Sequence, residues 1–316
     1  MKAALVTGGA GFIGSALVRA LLGQRAERVV VIDNLLSGKT ENLAGISGRV
    51  EFHQLDIREY DAIAPLFEGI EVVFHEAGLA SVPRSIEDPL LAHDINVGGT
   101  LNVFLAAQRH GVRRVVYAAS SSAYGDSPEL PKTENLPPQP KSPYAVQKLT
   151  GEYYARVFWE AFGLETVSLR YFNVFGPRQD PSSPYSGVLS IFSACALERR
   201  APTIFGDGGQ SRDFIYVDDI ARLNLLAADA PQAPGKTYNA GTGRRYSLNE
   251  TWKLMQRLSG IDLPAQQGPE RSGDVRHSQA DISLARRDLG FEPAIPFEEG
   301  LRRTLEWYRE QSSARA

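Results

Sequence analysis

The sequence predicts an α/β fold, a doubly wound parallel sheet with a smaller C-terminal domain interleaved with it. Three observations carry this. Short apolar, β-branched runs alternate with longer amphipathic stretches through the first half of the chain, a glycine-rich turn joins the first run to the first stretch, and after Asn173 the rhythm breaks into segments rich in Pro, Gly and Ser. Runs that are apolar on both faces belong in a parallel sheet covered by helices on each side. Strands are expected from Ala3 to Thr7, Arg28 to Asp33, Val50 to Gln54, Val72 to His75, Val115 to Ala119 and Thr166 to Arg170. Between them Gly14 to Leu22, Asp61 to Phe67, Leu91 to His110 and Tyr144 to Phe162 read as helices, the alternation of a doubly wound (Rossmann) sheet.

Past Asn173, Gly176-Pro177, the stretch from Asp180 to Gly187 and Gly206-Asp207-Gly208-Gly209 are irregular, interrupted by helices near Val188 to Glu198 and Val217 to Ala228. Thr237 to Asn239 and the helix after Val217 are expected to return to the sheet. The first domain is therefore residues 1–175 with returning segments near 213–242, and the second is 176–316. Ser247 to Ser259 and Phe297 to Gln311 are the last helices, the former capped by Ser247 with Glu250 three residues on.

A hydrophobic content of 43% with 22% charged residues is ordinary for a globular chain of 316 residues. The formal net charge of −3 leaves no basic excess with which to hold nucleic acid or an anionic membrane. Arg199-Arg200, Arg286-Arg287 and Arg302-Arg303 read as solvated helix ends. A single cysteine, Cys195, excludes an intramolecular disulfide and a multi-cysteine metal site, and no metal is expected. The chain passes from Met1-Lys2 straight into its first strand with no leader visible, and no segment approaches the roughly 18 apolar residues of a membrane span. A soluble, cytoplasmic protein is the expectation.

Thr7-Gly8-Gly9-Ala10-Gly11-Phe12-Ile13-Gly14 follows a strand and opens a helix, so its amides and the positive end of the helix dipole face a pyrophosphate. Each glycine removes a Cβ where backbone must turn tightly or approach ligand. The next strand ends at Asp33, where a carboxylate accepts hydrogen bonds from an adenosine ribose and repels a 2′-phosphate, which favours NAD over NADP. Asp56-Ile57 and Ala77-Gly78 also end strands, at the edge where such a sheet binds ligands. Asn96 serves either this site or a hydrogen bond between helices.

Ser142-Pro143-Tyr144-Ala145-Val146-Gln147-Lys148 starts a helix, with Ser142 as N-cap and Pro143 in the first helical position. Tyr144 and Lys148 share one face of it. A phenol is a poor base at neutral pH, but a lysine ammonium and the nicotinamide's positive charge both favour its phenolate. Such a pair abstracts a hydroxyl proton while hydride leaves for NAD. The plainer alternative, a half-buried aromatic beside a surface lysine, loses weight because Ala118-Ala119-Ser120-Ser121-Ser122-Ala123-Tyr124-Gly125 ends a strand at the same edge and offers hydroxyls beside the phenol.

With the glycine turn, the Ser-rich strand end and the Tyr-x-x-x-Lys helix in this order, the chain resembles the extended short-chain dehydrogenase/reductases, specifically the NAD-dependent nucleotide-sugar epimerases and dehydratases. Leu169 to Gly176, Gly206-Asp207-Gly208 and Arg212 to Asp219 look like that family's substrate-domain signatures, and the resemblance spans essentially the whole chain. It implies Ser120, Tyr144 and Lys148 as catalytic residues. It places Gly8, Gly11, Phe12, Ile13, Gly14, Asp33, Asn34, Leu35, Ser37, Gly38, Asp56, Ile57, Ala77, Gly78, Asn96, Tyr171 and Val174 about the NAD, together with Tyr144 and Lys148. The sugar nucleotide falls to Ser81, Ser120, Ser121, Ser122, Tyr144, Asn173, Gly187, Val188, Phe192, Thr203, Phe205, Arg212, Arg271, Asp274 and Ser278.

The family's 4,6-dehydratases carry an Asp-Glu pair where this chain has Ser121 and Ser122, and neither serine is an adequate acid or base for eliminating water. Among epimerases, Ser81-Val82-Pro83-Arg84-Ser85 and Arg170 to Gly176 look most like the branch acting on UDP-N-acetylglucosamine, although the chain departs from the family's Lys or Gly near Ala80. Ser278 matches a site where epimerases restricted to non-acetylated UDP-hexoses carry a bulky Tyr, so UDP-GlcNAc and UDP-GalNAc are expected, with UDP-Glc and UDP-Gal beside them. A UDP-uronate 4-epimerase or UDP-glucuronate decarboxylase is the rival on the same fold, and needs a cationic or hydroxyl pocket for the C6 carboxylate. A non-catalytic NAD-sensing protein is the rival of a different class, with no need for Ser120, Tyr144 and Lys148 together. The resemblance further implies a homodimer built on the Leu91 to His110 and Tyr144 to Phe162 helices.

Overall fold

The computed structural model describes residues 1–180, 187–270 and 275–315, with side chains as far as Gln311. In the first half β1 (Ala3–Thr7), α1 (Phe12–Gly23), β2 (Arg28–Ile32), β3 (Glu51–His53), α2 (Tyr60–Ile63) and β4 (Val72–His75) lead into α3 (Val82–Glu87), α4 (Pro89–His93), α5 (Thr100–Arg109), β5 (Arg114–Ser120), α6 (Pro143–Phe162) and β6 (Glu165–Tyr171). The second half adds β7 (Asn173–Phe175), α7 (Val188–Leu197), β8 (Thr203–Phe205), β9 (Ser211–Arg212), β10 (Phe214–Tyr216), α8 (Val217–Asp229), β11 (Lys236–Ala240), β12 (Tyr246–Ser247), α9 (Leu248–Ser259), β13 (Gln266–Gly268), α10 (Ser283–Leu289) and α11 (Phe297–Arg315).

Seven strands form one parallel sheet in the order β11-β6-β5-β4-β1-β2-β3. Strand order reverses between β1 and β4, and a crevice opens there at the carboxyl ends. Alternation along β5 shows why both faces are covered: Val115, Tyr117 and Ala119 pack into the core on the α5 and α6 side, while Val116 and Ala118 pack into the core under α1 and α8. A third core, centred on Phe192, Trp252 and Phe297, holds the C-terminal elements together.

Two predicted helices are broken. Pro65 lies in the stretch expected to run from Asp61 to Phe67, and the α-helix stops at Ile63 and tightens into a 3₁₀ turn over Ala64–Phe67. The stretch from Leu91 to His110 is interrupted by a π-turn over Asp94–Gly99. Within that turn Gly99 faces Ile57, whose side chain stands 2.6 Å from where a Cβ would be. The caps at Ser142 and Ser247 form as local chemistry dictates: Ser142 Oγ accepts from the Ala145 amide, and Ser247 and Glu250 make a reciprocal capping box.

Buried charge ties α8 and α6 to the sheet. Arg114 donates to the carbonyls of Ala227, Ala228 and Ala230 at the end of α8 (2.8–2.9 Å) and pairs with Glu165 at 2.7 Å. A cation suits that helix terminus. Arg170 meets Glu152 of α6 in a forked pair, Nε to Oε1 at 2.9 Å and Nη2 to Oε2 at 2.8 Å, with its guanidinium 4.7 Å over the Tyr124 ring.

Where α6 crosses β5 there is no room for a side chain at Gly151, because an added Cβ would stand 2.2 Å from Tyr117 Oη. Gly151→Ala is therefore expected to lower stability by about 1–3 kcal/mol, the usual cost of overpacking, in urea unfolding followed by circular dichroism.

Candidate active site

Two clefts open at the carboxyl ends of the strands. The first is lined by Gly8, Gly11, Phe12, Ile13 and Gly14 from the turn, by Asp33, Asn34 and Ser37 after β2, and by Ile57, Ala77, Gly78, Ser81 and Gly187. The turn is tight enough to demand its glycines. Gly8 sits at φ +69 with a would-be Cβ 2.7 Å from the Ala77 amide nitrogen, and one at Gly14 would stand 2.2 Å from the Gly8 carbonyl oxygen. No side chain caps the N-terminus of α1, which leaves the mouth of the helix to an anion.

Asp33 accepts from the amides of Ala10 (2.9 Å) and Leu35 (2.8 Å). Burial raises its pKa, and those two amides oppose the rise. Both of its oxygens lie 2.7 Å from where a Cβ at Gly38 would be, so Gly38 clears space for the carboxylate without itself lining the cleft. Leu35 holds φ +60, which turns its side chain into the core beside α1 and hands the cleft wall to Leu36. The Asp56 carboxylate is engaged by Asn34 (2.8 Å) and Arg58 (2.8 and 3.0 Å), and Arg58 holds it at about 2. Asn96 takes the interhelical alternative: Oδ1 accepts from the Leu79 amide at 2.8 Å, and Nδ2 donates to Gln147 of α6 at 2.9 Å. Val174 packs between two hydrophobic cores, outside the lining.

The second cleft is lined by Ser120, Ser121, Ser122, Ser142, Asn173, Arg212 and Ser278, with Val82, Tyr124, Lys132, Lys141 and Tyr171. Other residues expected at the sugar nucleotide stand elsewhere. Phe192 is fully buried against Trp252, ring centroids 5.4 Å apart, and Val188 packs on the same core. Thr203 and Phe205 belong to β8, paired with β13, and line neither cleft. Ser81 and Gly187 line the first cleft instead. Arg271 and Asp274 lie outside the described residues.

At the meeting of the clefts, β5 ends in Ser120, whose Oγ accepts from the Ser122 amide (3.2 Å) and lies 2.9 Å from Ser122 Oγ. Tyr144 begins α6, its amide donating to Ser85 Oγ at 3.1 Å. Burial raises the pKa of the Tyr144 phenol, and the Ser120 hydroxyl opposes that rise. The Lys148 ammonium stands over the Tyr117 ring, 4.9 Å from the centroid. It also lies 3.6 Å from the would-be Cβ of Gly78, a residue of the first cleft, although neither Lys148 nor Tyr144 is itself among the residues lining either cleft. Burial lowers Lys148 to about 8, with Glu76 and Glu152 opposing.

Sequence reasoning missed Glu76, Arg178, Lys132 and Lys141, all of which line a cleft. Only Glu76 left a signal, as the residue between a strand end and Ala77-Gly78. Arg178 places a guanidinium in the first cleft, a group that suits a pyrophosphate. Among the described residues no group of three His, Cys, Asp or Glu is placed to hold a metal. A phenol, a hydroxyl and an ammonium between an anion-binding cleft and a polar pocket suit proton transfer coupled to hydride transfer.

The chain matches the family model described as NAD dependent epimerase/dehydratase over residues 4–241. It is 40% identical over 312 residues to a UDP-glucose 4-epimerase of Mycolicibacterium smegmatis, covering 98% of this chain and 99% of the relative. A solved UDP-N-acetylglucosamine 4-epimerase of Methanobrevibacter ruminantium M1, in complex with UDP-N-acetylmuramic acid, superposes with a TM-score of 0.94 at 40% identity, covering 98% of this chain and 99% of that one. The UDP-glucose 4-epimerase of Thermotoga maritima with UDP-glucose gives 0.94 at 38% identity, with 98% and 99% coverage.

Gly14→Ala pushes a methyl group into the Gly8 carbonyl and is expected to weaken NAD binding at least tenfold by isothermal titration, while far-ultraviolet circular dichroism stays that of the parent.

Proposed function

The chain belongs to the NAD-dependent epimerase/dehydratase family, as an NAD-dependent UDP-sugar 4-epimerase, and we propose that its substrates are UDP-N-acetylglucosamine and UDP-N-acetylgalactosamine, with UDP-glucose and UDP-galactose beside them. Ser278 carries the reading: it lines the same pocket as Ser120 and Arg212, and its small side chain leaves room for an N-acetyl group. The likeness to a UDP-N-acetylglucosamine 4-epimerase supports it.

In this proposal residues 1–175, with returning segments near 213–242, bind NAD, and residues 176–316 bind the UDP-sugar. Asp33 accepts from the adenosine ribose, and the turn from Gly8 to Gly14 takes the pyrophosphate. Asn173 and Arg212 meet the nucleotide, and family resemblance adds Arg271 and Asp274. Tyr144 Oη takes the proton from sugar O4, with Ser120 hydrogen-bonded to the same oxygen. NAD, when bound, accepts hydride from C4 and returns it. Between the two transfers the 4-keto sugar turns its other face, and Tyr144 then returns the proton to O4. Lys148 holds the nicotinamide ribose and keeps a positive charge near the phenolate.

A second reading, a UDP-uronate as substrate, is favoured by one observation. Lys132, only 2% exposed, lines the sugar pocket with its ammonium bonded to the Ser127 carbonyl and, among the described residues, no carboxylate within ion-pair distance. Lys141 lines it too, paired with Asp126 at 2.6 Å. Those lysines and Ser121 and Ser122 are the cationic and hydroxyl groups that a C6 carboxylate requires.

A homodimer is part of the proposal. Val146, Tyr153 and Val157 stand exposed along one face of α6, the latter two at 58% and 47%, and Ile86 and Leu90 are exposed close by. Such an apolar stripe marks a protein contact. No helix among the described residues is long and apolar enough to cross a membrane, and cytoplasmic residence is the accompanying proposal.

Incubation with a panel of UDP-hexoses, UDP-N-acetylhexosamines and UDP-uronates, read by anomeric-proton NMR, is expected to show C4 inversion of the N-acetylated pair. Inversion confined to uronates establishes the second reading, and no product from any sugar refutes both. Tyr144→Phe is expected to cut turnover by about 10²–10⁴-fold with NAD still bound. The double variant Tyr153→Glu with Val157→Glu is expected to elute as a monomer in size-exclusion chromatography with light scattering.

A further inference from the structure

Glu76 follows β4 and stands where the two clefts meet. It lines the first cleft, Tyr171 lines the second, and Tyr171 Oη donates to Glu76 Oε1 at 2.6 Å. The direction of that bond is set from behind. Asn224, fully buried on α8, uses Nδ2 to donate both to the Ile220 carbonyl (3.0 Å) and to Tyr171 Oη (2.7 Å). A carbonyl only accepts, so this nitrogen is the amide NH₂, and the one proton of Tyr171 is left to point at Glu76. Oε1 is held as an acceptor, while Oε2 has no protein hydrogen bond among the described residues. The backbone is fixed too, since the Glu76 amide donates to the Thr7 carbonyl at 3.2 Å.

Hydride passes between the sugar pocket and the cofactor cleft, so it passes at this partition. The transfer breaks the C4–H bond, puts the hydride on the nicotinamide ring and removes the ring's positive charge, while the O4 proton goes to Tyr144. A fixed carboxylate beside that crossing attracts the cationic oxidised ring and has no such attraction for the neutral reduced one. We propose that Glu76 is a positioning residue that biases the bound cofactor toward its oxidised form, its carboxylate aimed by Tyr171 and Asn224. The proposal rests on NAD occupying the first cleft with its nicotinamide toward Tyr144. Burial raises Glu76 to about 7, with Tyr171 and Lys148 opposing, so near neutral pH the carboxyl is divided between its neutral and charged forms, and a cation standing near favours the charged one.

The test is a reductive titration of the NAD-loaded protein against a redox dye of known potential, read by the absorbance of the reduced nicotinamide. Glu76→Gln keeps the acceptor for Tyr171 and removes the charge. It is expected to raise the reduced-to-oxidised ratio at a given potential about tenfold, which is about 30 mV for a two-electron couple. Glu76→Asp retains the charge and is expected to stay within about twofold of the parent. A parental potential in Glu76→Gln overturns the proposal. So does a folded Glu76→Gln that no longer retains NAD, because the carboxyl then holds the cofactor rather than biasing it. If Glu76→Gln does not fold, Glu76→Asp decides, and a tenfold rise there overturns the proposal. The titration needs no sugar turnover, so a parent protein that titrates normally but epimerises no UDP-sugar counts against the substrate reading alone.

Discussion

Everything at the carboxyl edge depends on one steric constraint: the turn after β1 has no room for a side chain at Gly8 or at Gly14. Gly8 lets the chain turn at φ +69 against the Ala77 backbone, and Gly14 lets α1 start on top of the Gly8 carbonyl. That closeness brings the first turn of a helix to the floor of the crevice. It also sets the strand ends on either side at fixed distances, Asp33 on one and Glu76 on the other. The cofactor cleft is thus shaped by backbone, and the side chains that decorate it are positioned by hydrogen bonds to that backbone. Asp33 is held by two amides, and Glu76 by the Thr7 carbonyl through its own amide.

The sugar side is built differently. Its walls come from chain segments far apart in sequence: the turn after β5, the strand end at Tyr171, Arg212 of β9 and Ser278. Buried polar contacts hold them in register. Arg170 and Glu152 join β6 to α6 beneath the Tyr124 ring, and Tyr124 Oη donates to Asn239 at 2.6 Å. Asn239 in turn donates to the carbonyls of Lys132 and Asp281. Removing one partner from such a network leaves a buried polar group unpaired, which makes these positions more demanding than apolar core positions of equal burial.

What was legible in the sequence follows from the length of each signal. Strands and helices of the first half carry long periodic runs, and the caps at Ser142 and Ser247 are local chemistry, so both could be read directly. Strands of two or three residues, such as Ser211–Arg212, are too short for a period of two to register. The π-turn at Asp94–Gly99 shifts the helical phase without any proline to announce it. At the site, Ser120, Tyr144 and Lys148 stood out as candidates because the serine ends a strand and the other two lie in the first turns of a helix. Phe192, Thr203 and Phe205 came from resemblance alone, which transfers a position without its packing, and Phe192 packs in the core around Trp252. Lys132 was invisible since only the pairing of its backbone with Ala280, far along the chain, turns it toward the pocket.

The placement of β11 has a consequence for biosynthesis. β6 is complete at Tyr171, but its outer neighbour is not encoded until Lys236–Ala240. At about 5–20 residues per second the ribosome needs several seconds to supply it. Throughout that interval β6 is an open edge, buried on both faces and unpaired on one side, the kind of surface that recruits strands from other chains. A chaperone that shields strand edges has its window between those two points of translation.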